Sequence, residues 1–108
     1  MESSIRPDFV QQEVIKGKMT YYINLGIELV DDMFQYDSIE VDFNKWEYGG
    51  IVDALITYKY PNEKMQAVIN NYLLEPENEE FVTAFNEMQA WRKEAKEIAK
   101  QALDYELH

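Results

Sequence analysis

The stretch from Met19 to Leu29 constrains the fold most, because its apolar side chains recur at every second position. The even positions between them are mostly polar or small. A period of two places successive side chains on opposite faces of an extended chain, so the pattern predicts a strand with one buried face. Gly26 lies inside this stretch, where it indicates a β-bulge. The predicted inward-facing residues are Met19, Tyr21, Ile23, Leu25, Ile27 and Leu29.

The segment SIEVDFN, residues 38–44, repeats the alternation and predicts a second strand. The segment DDMFQYD, residues 31–37, separates the two strands and is predicted to be the loop of a β-hairpin. The predicted buried residues of the second strand are Ile39, Val41 and Phe43, and the predicted exposed ones are Glu40 and Asp42.

Helical periodicity replaces the alternation in the C-terminal half. Residues 61–76 predict a helix that Asn62 caps and Pro76 ends. Its apolar stripe consists of Met65, Val68, Ile69, Tyr72 and Leu73. A longer helix follows the short link Leu74–Asn78, which makes the two helices an antiparallel hairpin. The stripe of the last helix consists of Ala84, Met88, Trp91, Ala95, Ile98, Ala102 and Tyr105.

The chain of 108 residues has the size of a single domain, residues 1–108. We predict an α+β fold in which an N-terminal β-hairpin or small antiparallel sheet packs on a C-terminal helical hairpin with a long last helix. Two segments stay open. Residues 1–16 fit a short helix or an extended lead-in, and residues 49–60 fit a helix whose end, residues 56–60, also fits a strand. An all-α fold is the alternative, because Ile27, Val30 and Phe34 also fit helical spacing.

The net charge of −11 excludes several classes of partner. Direct binding to nucleic acid or to an anionic membrane is not expected, since both need clustered Lys and Arg. The chain has no cysteine, which removes disulfides and thiolate metal sites. The first residues lack the basic and apolar blocks of a signal peptide, and no apolar run is long enough to span a bilayer, so we expect a soluble, cytoplasmic protein.

Few residues could carry chemistry, and we predict no catalytic residue, no cofactor and no metal ligand. The only histidine, His108, is the last residue and a poor general base. Residues 42–53 place Asp42 and Asn44 at the first and third positions of a calcium loop, but the fifth is Trp46 and the twelfth is Asp53. The acids of residues 31–37 are interpreted as solvated rather than as ligands of Mg²⁺.

Residues 48–100 resemble a group of known proteins. The residues that carry this resemblance are Tyr-Lys-Tyr-Pro at 58–61, Asn-Asn-Tyr-Leu at 70–73 and Gln-Ala-Trp-Arg at 89–92, followed by a helix rich in Lys and Ala. This run resembles the C-terminal part of small uncharacterised proteins encoded in phage and prophage regions. The resemblance implies an accessory or structural protein of a mobile element and brings no catalytic residue with it.

Three functional hypotheses follow. The leading one is a non-enzymatic interaction or assembly protein, because aromatic residues make up 14% of the chain and rings left at a surface favour interfaces. The second is an acidic decoy that imitates nucleic acid and inhibits a basic protein, since residues 19–80 hold 13 acids and three bases. The third is an enzyme or metal site built from carboxylates.

The last helix predicts the interface. Its stripe is longer than the preceding helix can cover, so its far end must meet the β-hairpin or another subunit. We expect a homodimer formed through the C-terminal half of this helix. The alternative is that the sheet and the N-terminal segment bury that half within one chain. The predicted interface residues are Trp91, Ile98, Ala102 and Tyr105.

Overall fold

The structure, a computed structural model, describes residues 1–105 and confirms the predicted α+β fold. Four antiparallel strands form one sheet in the N-terminal half, and three helices follow in the C-terminal half. The strands are β1 (Glu2–Ser3), β2 (Val10–Ile15), β3 (Lys18–Val30) and β4 (Met33–Asp42). A 3₁₀ turn (Phe43–Lys45) leads into α1 (Tyr48–Lys59), α2 (Asn62–Leu74) and α3 (Glu79–Asp104).

The sheet is wider than the predicted hairpin, because residues 1–16 join it as strands in the order β1-β4-β3-β2. The predicted seven-residue loop at 31–37 is wrong. β3 and β4 pair as far as Val30 opposite Met33, so only Asp31 and Asp32 form the turn. Both aspartates have positive φ angles, 50° and 66°. Asp tolerates this left-handed conformation better than most residues, and a two-residue turn of this kind fits the twist of a hairpin.

The β-bulge predicted at Gly26 is confirmed. The pairing of β3 with β4 shifts register between Leu25 and Glu28, and Gly26 has a φ of +62°. The extra residue moves the following side chains to the opposite face. Leu29, predicted to be buried, is therefore 63% exposed.

The first half of β3 also departs from simple alternation. Tyr21 and Ile23 are buried as predicted, but Thr20 and Asn24 on the opposite face are buried too. The Asn24 side-chain amide donates to the carbonyl of Asp8 at 2.7 Å and to Gln11 Oε1 at 2.9 Å. These bonds tie Asp8, which precedes β2, and Gln11 of β2 to Asn24 on that face of the sheet.

The prediction for β4 is correct at four of its five positions. Ile39 and Val41 are buried, and Glu40 and Asp42 are exposed. Phe43 is 62% exposed, against the prediction, because β4 ends at Asp42 and Phe43 begins the 3₁₀ turn. Phe43 lies one residue beyond the end of β4, so the alternation of the strand no longer determines its exposure.

The helices follow the predicted periodicity, with corrections at their ends. Asn62 is the first residue of α2 rather than its cap, since Pro61 takes that position. The N-terminus of α3 is capped by Asn78, whose Oδ1 accepts from the amides of Glu80 at 3.0 Å and Phe81 at 3.3 Å. Leu73, predicted to belong to the α2 stripe, is 68% exposed. The open segment at 49–60 is helical as far as Lys59, where α1 ends.

One core forms where the sheet, α1 and the C-terminal half of α3 meet. The buried members are Val10, Tyr21, Ile23, Ile39, Val41, Ile51, Leu55, Trp91, Ala95, Ile98, Ala99 and Ala102. No residue of α2 is buried. We call α2 together with residues 79–87 of α3 the helical arm. The arm explains the elongated shape: the radius of gyration is 16.3 Å, against about 13 Å for a compact domain of this length.

The two glycines at the start of α1 give a matched test of how closely the 3₁₀ turn packs against this helix. A Cβ at Gly50 would overlap the Lys45 carbonyl oxygen, whereas a Cβ at Gly49 meets nothing within 4 Å. We expect Gly50→Ala to lower the free energy of unfolding by about 1–3 kcal/mol, as overpacking does. Gly49→Ala should leave it unchanged or raise it by up to about 1 kcal/mol, because alanine favours the helix. Urea denaturation measures both, and equal effects of the two substitutions would contradict the close approach of the 3₁₀ turn to α1.

Candidate protein interaction surfaces

Trp91, a predicted interface residue, joins α3 to α1 inside the chain. Its indole Nε1 donates a hydrogen bond to the carbonyl of Leu55 at 3.0 Å. The Lys59 ammonium lies 3.9 Å from the centroid of the ring and covers it as a cation–π contact. The tryptophan is buried, so in this structure it anchors one helix to another rather than facing a partner.

The other predicted interface residues also pack within the chain. Ile98 and Ala102 are buried in the core. Tyr105 is half-buried, and its ring meets Phe9 edge-on with the centroids 5.6 Å apart. The arrangement is the one given above as the alternative, in which the sheet and the N-terminal segment cover the end of α3. The homodimer itself stays a prediction, but these side chains do not supply a free surface for it.

The candidate metal ligands are not gathered into a site. Residues 42–53 do not form a calcium-binding loop, because Phe43–Lys45 is a 3₁₀ turn and residues from Tyr48 onward belong to α1. Asp37 accepts a hydrogen bond from the Tyr58 hydroxyl at 3.2 Å. Within residues 1–105, no three acidic or histidine side chains lie close enough together to hold a metal ion. His108 lies outside the described residues.

The face of the sheet opposite α1 and α3 carries acids around a tyrosine. The strand register places Tyr22 between Gln11 of β2 and Glu40 of β4, and Glu13 lies one row away. Partial burial raises the pKa of Tyr22, and the carboxylates of Glu40 and Glu13 raise it further. The phenol therefore remains protonated at neutral pH, and the negative charge of this face comes from its carboxylates.

The helical arm exposes apolar surface that the sequence pattern had assigned to a core. Its two helices contact each other through side chains that stay half-buried, including the stacked rings of Tyr72 and Phe85, whose centroids are 4.3 Å apart. Leu73 and Leu74 are 68% and 80% exposed at the end of α2. A signal for this surface was available in the sequence, since Leu73 and Leu74 directly precede the acidic segment of residues 75–80.

The position of Ile98 generates a direct test. Ile98 is only 8% exposed and belongs to the core. We expect Ile98→Asp to destabilise the fold by about 3–5 kcal/mol, because it removes buried apolar surface and buries an unpaired charge. Gln101→Asp, an exposed position on the same helix, is the matched control and should cost about 1 kcal/mol or less, from its place near the helix C-terminus. A stable Ile98→Asp protein in thermal denaturation would contradict the burial of Ile98.

Comparison with known proteins gives no further assignment. No family model, no curated protein and no solved structure matches the chain. Among the described residues, no helix is long and apolar enough to cross a membrane. The resemblance to phage-encoded proteins therefore stays a prediction, and function has to be inferred from the surfaces described above.

Proposed function

We propose that the protein is a non-enzymatic interaction protein that docks a basic amphipathic helix on its helical arm. The observation that carries the proposal is that no residue of α2 is buried, although α2 has an apolar stripe. The two helices of the arm form a single layer of secondary structure, whereas stable domains bury apolar faces between at least two packed layers. A third helix laid along the arm would provide the missing cover.

The exposed apolar side chains of the arm favour this mode of binding. Met65, Val68 and Ile69 are half-buried and keep part of their surface in water. Leu73 and Leu74 add two exposed side chains at the end of α2. Burial of a leucine side chain contributes about 1.5–3 kcal/mol, so a helix that covered several of these residues would gain binding energy from them.

The negative charge of the arm favours a basic partner. Residues 62–87 contain six acids and one base. Within residues 1–105 the only ion pair is that of Lys100 with Glu97, at 3.7 Å, and it lies beyond the arm on α3. The carboxylates of the arm are therefore free to attract a basic partner. Two copies of the arm would repel each other, which disfavours self-association through this surface.

The setting of this function is part of the proposal. We place the protein in a cytoplasm, in keeping with the absence of cysteine and with the acidic composition. The resemblance of residues 48–100 to proteins of phage and prophage regions supports an accessory or structural role in a mobile element.

An acidic decoy is the second candidate function. It is supported by the sheet face opposite the helices, where the register brings Glu13 of β2 and Asp42 of β4 to either side of Thr20, next to Tyr22 and Glu40. A rigid sheet holds such carboxylates at fixed spacing, as a phosphate backbone holds its charges. A decoy would bind a basic protein through this face, and moderate salt would release it.

Site-specific photo-crosslinking distinguishes the two surfaces. A photo-reactive amino acid replaces Leu73 on the arm, Tyr22 on the acidic face or Leu29 on β3, in cells that make the protein. Leu29 is the matched control, since its exposure of 63% is close to the 68% of Leu73. We expect Leu73 to yield one defined adduct whose crosslinked peptide is amphipathic and rich in Lys or Arg.

The position of the crosslink distinguishes docking on the arm from binding through the acidic face. A defined adduct at Tyr22 with a nucleic-acid-binding protein, and none at Leu73, would favour the decoy. Adducts of equal yield at Leu73 and Leu29, or a crosslinked peptide that is acidic, would refute docking of a basic helix on the arm. Binding of the captured peptide to the purified protein is then measured by calorimetry. Leu73→Gln should weaken it by about ten-fold or more, since one buried leucine is lost.

A further inference from the structure

β2 forms an open edge of the sheet. In the order β1-β4-β3-β2 it has a neighbour on one side only. Its residues after Val10 are exposed, and Val14 keeps 64% of its surface in water. An edge strand presents unpaired backbone N–H and C=O groups, which are a template for another strand.

The pairing with β3 determines which backbone groups are free. The amide of Asn24 donates to the carbonyl of Phe9 at 2.8 Å, so these two opposite residues form a hydrogen-bonded pair. In an antiparallel ladder, hydrogen-bonded and non-hydrogen-bonded pairs alternate. The backbone groups of Gln11, Glu13 and Ile15 therefore face β3. Those of Val10, Gln12 and Val14 face away from it.

We propose that β2 pairs antiparallel with β2 of a second copy of the chain and joins the two sheets into one of eight strands. The two-fold axis passes through Gln12, which pairs with Gln12 of the second copy. Val10 then pairs with Val14, and Gln11 lies opposite Glu13. This register connects the outward-facing backbone groups of both strands and keeps each side chain on its own face of the sheet.

Charge selects this register over its neighbour. If the two-fold axis passed through Glu13 instead of Gln12, Glu13 would lie directly opposite Glu13 of the second copy. The two would form a non-hydrogen-bonded pair, in which side chains are closest. Like charges in that position destabilise a strand pair. In the proposed register Glu13 meets a neutral Gln11, and the exposed Val14 meets an apolar Val10. The proposed register thus avoids the like-charge pair and sets neutral or apolar side chains opposite each other.

The dimer is expected to be weak. A contact of five residues from each strand buries less surface than the standard interface of about 1,600 Å². Association should therefore depend on protein concentration. The interface lies on β2 and leaves the helical arm free, so this proposal and the proposed function can fail independently.

Cysteine crosslinking tests the register, since the chain has no cysteine of its own. Across a hydrogen-bonded antiparallel pair the Cα atoms are about 5.5 Å apart, within reach of a disulfide. Gln12→Cys should therefore form covalent dimers under mild oxidation. Glu13→Cys is the matched control: in the proposed register its two copies lie about 7–8 Å apart, where a disulfide is disfavoured. Crosslinking of Glu13→Cys in preference to Gln12→Cys would refute the register.

Proline substitution tests the hydrogen bonds. The N–H of Gln12 faces the open edge, so Gln12→Pro removes no backbone bond to β3 and is tolerated there as prolines on edge strands are. It does remove the side-chain bond from Gln12 Nε2 to the Tyr21 hydroxyl at 3.1 Å, which Gln12→Ala removes as well. Gln12→Pro removes two bonds per dimer and should raise the dissociation constant about 30-fold. Gln12→Ala keeps the N–H and should leave the dimer much less affected. Sedimentation at high micromolar concentration measures both.

Three results would overturn the proposal. They are a wild type that sediments as a 12.8 kDa monomer at high micromolar concentration, a Gln12→Pro protein that stays folded and dimerises as strongly as the wild type, and equal crosslinking at Gln12 and Glu13. If Gln12→Pro fails to fold, the crosslinking pair still decides the question, because Gln12→Cys and Glu13→Cys leave the backbone donors in place.

Discussion

The packing of α3 against two different surfaces is the constraint on which the rest of the molecule depends. Its C-terminal half lies in the core with the sheet and α1, and the bond from Trp91 to the Leu55 carbonyl fixes it there. Before Met88 no residue of α3 is buried, and no residue of α2 is buried either. A helix of 26 residues is about 39 Å long, and one small sheet with one short helix cannot cover that length. The chain therefore has a packed end and an open arm.

The surfaces proposed for interaction follow from this division. Apolar side chains at the packed end bury one another, including Ile98 and Ala102 from the stripe predicted to be an interface. At the open end the same kind of stripe stays partly in water and is surrounded by acids. The sheet adds a second incomplete element, since β2 lacks a neighbour on one side. An apolar arm with carboxylates suits a basic helix, whereas a strand edge with mostly neutral side chains suits another copy of itself.

Periodicity in the sequence was enough to predict the elements and the faces near the core. Tyr21, Ile23, Ile39 and Val41 are buried because alternation and burial coincide wherever a strand pairs regularly. The bulge at Gly26 was also predictable, since glycine inside an alternating run is a local signal. The short β1 and β2 were not, because an edge strand exposed on most of its length has no need of alternation.

The sequence by itself determined the α+β fold, the two helices of the hairpin and the acidic surface, because each depends on residue type and local spacing. Tertiary structure decided which end of α3 is covered. The stripe is apolar from Ala84 to Tyr105, and spacing alone does not show where the sheet will lie. It also decided that Phe43 is exposed and that the chain at 31–37 is mostly strand, since both depend on where β4 starts and ends.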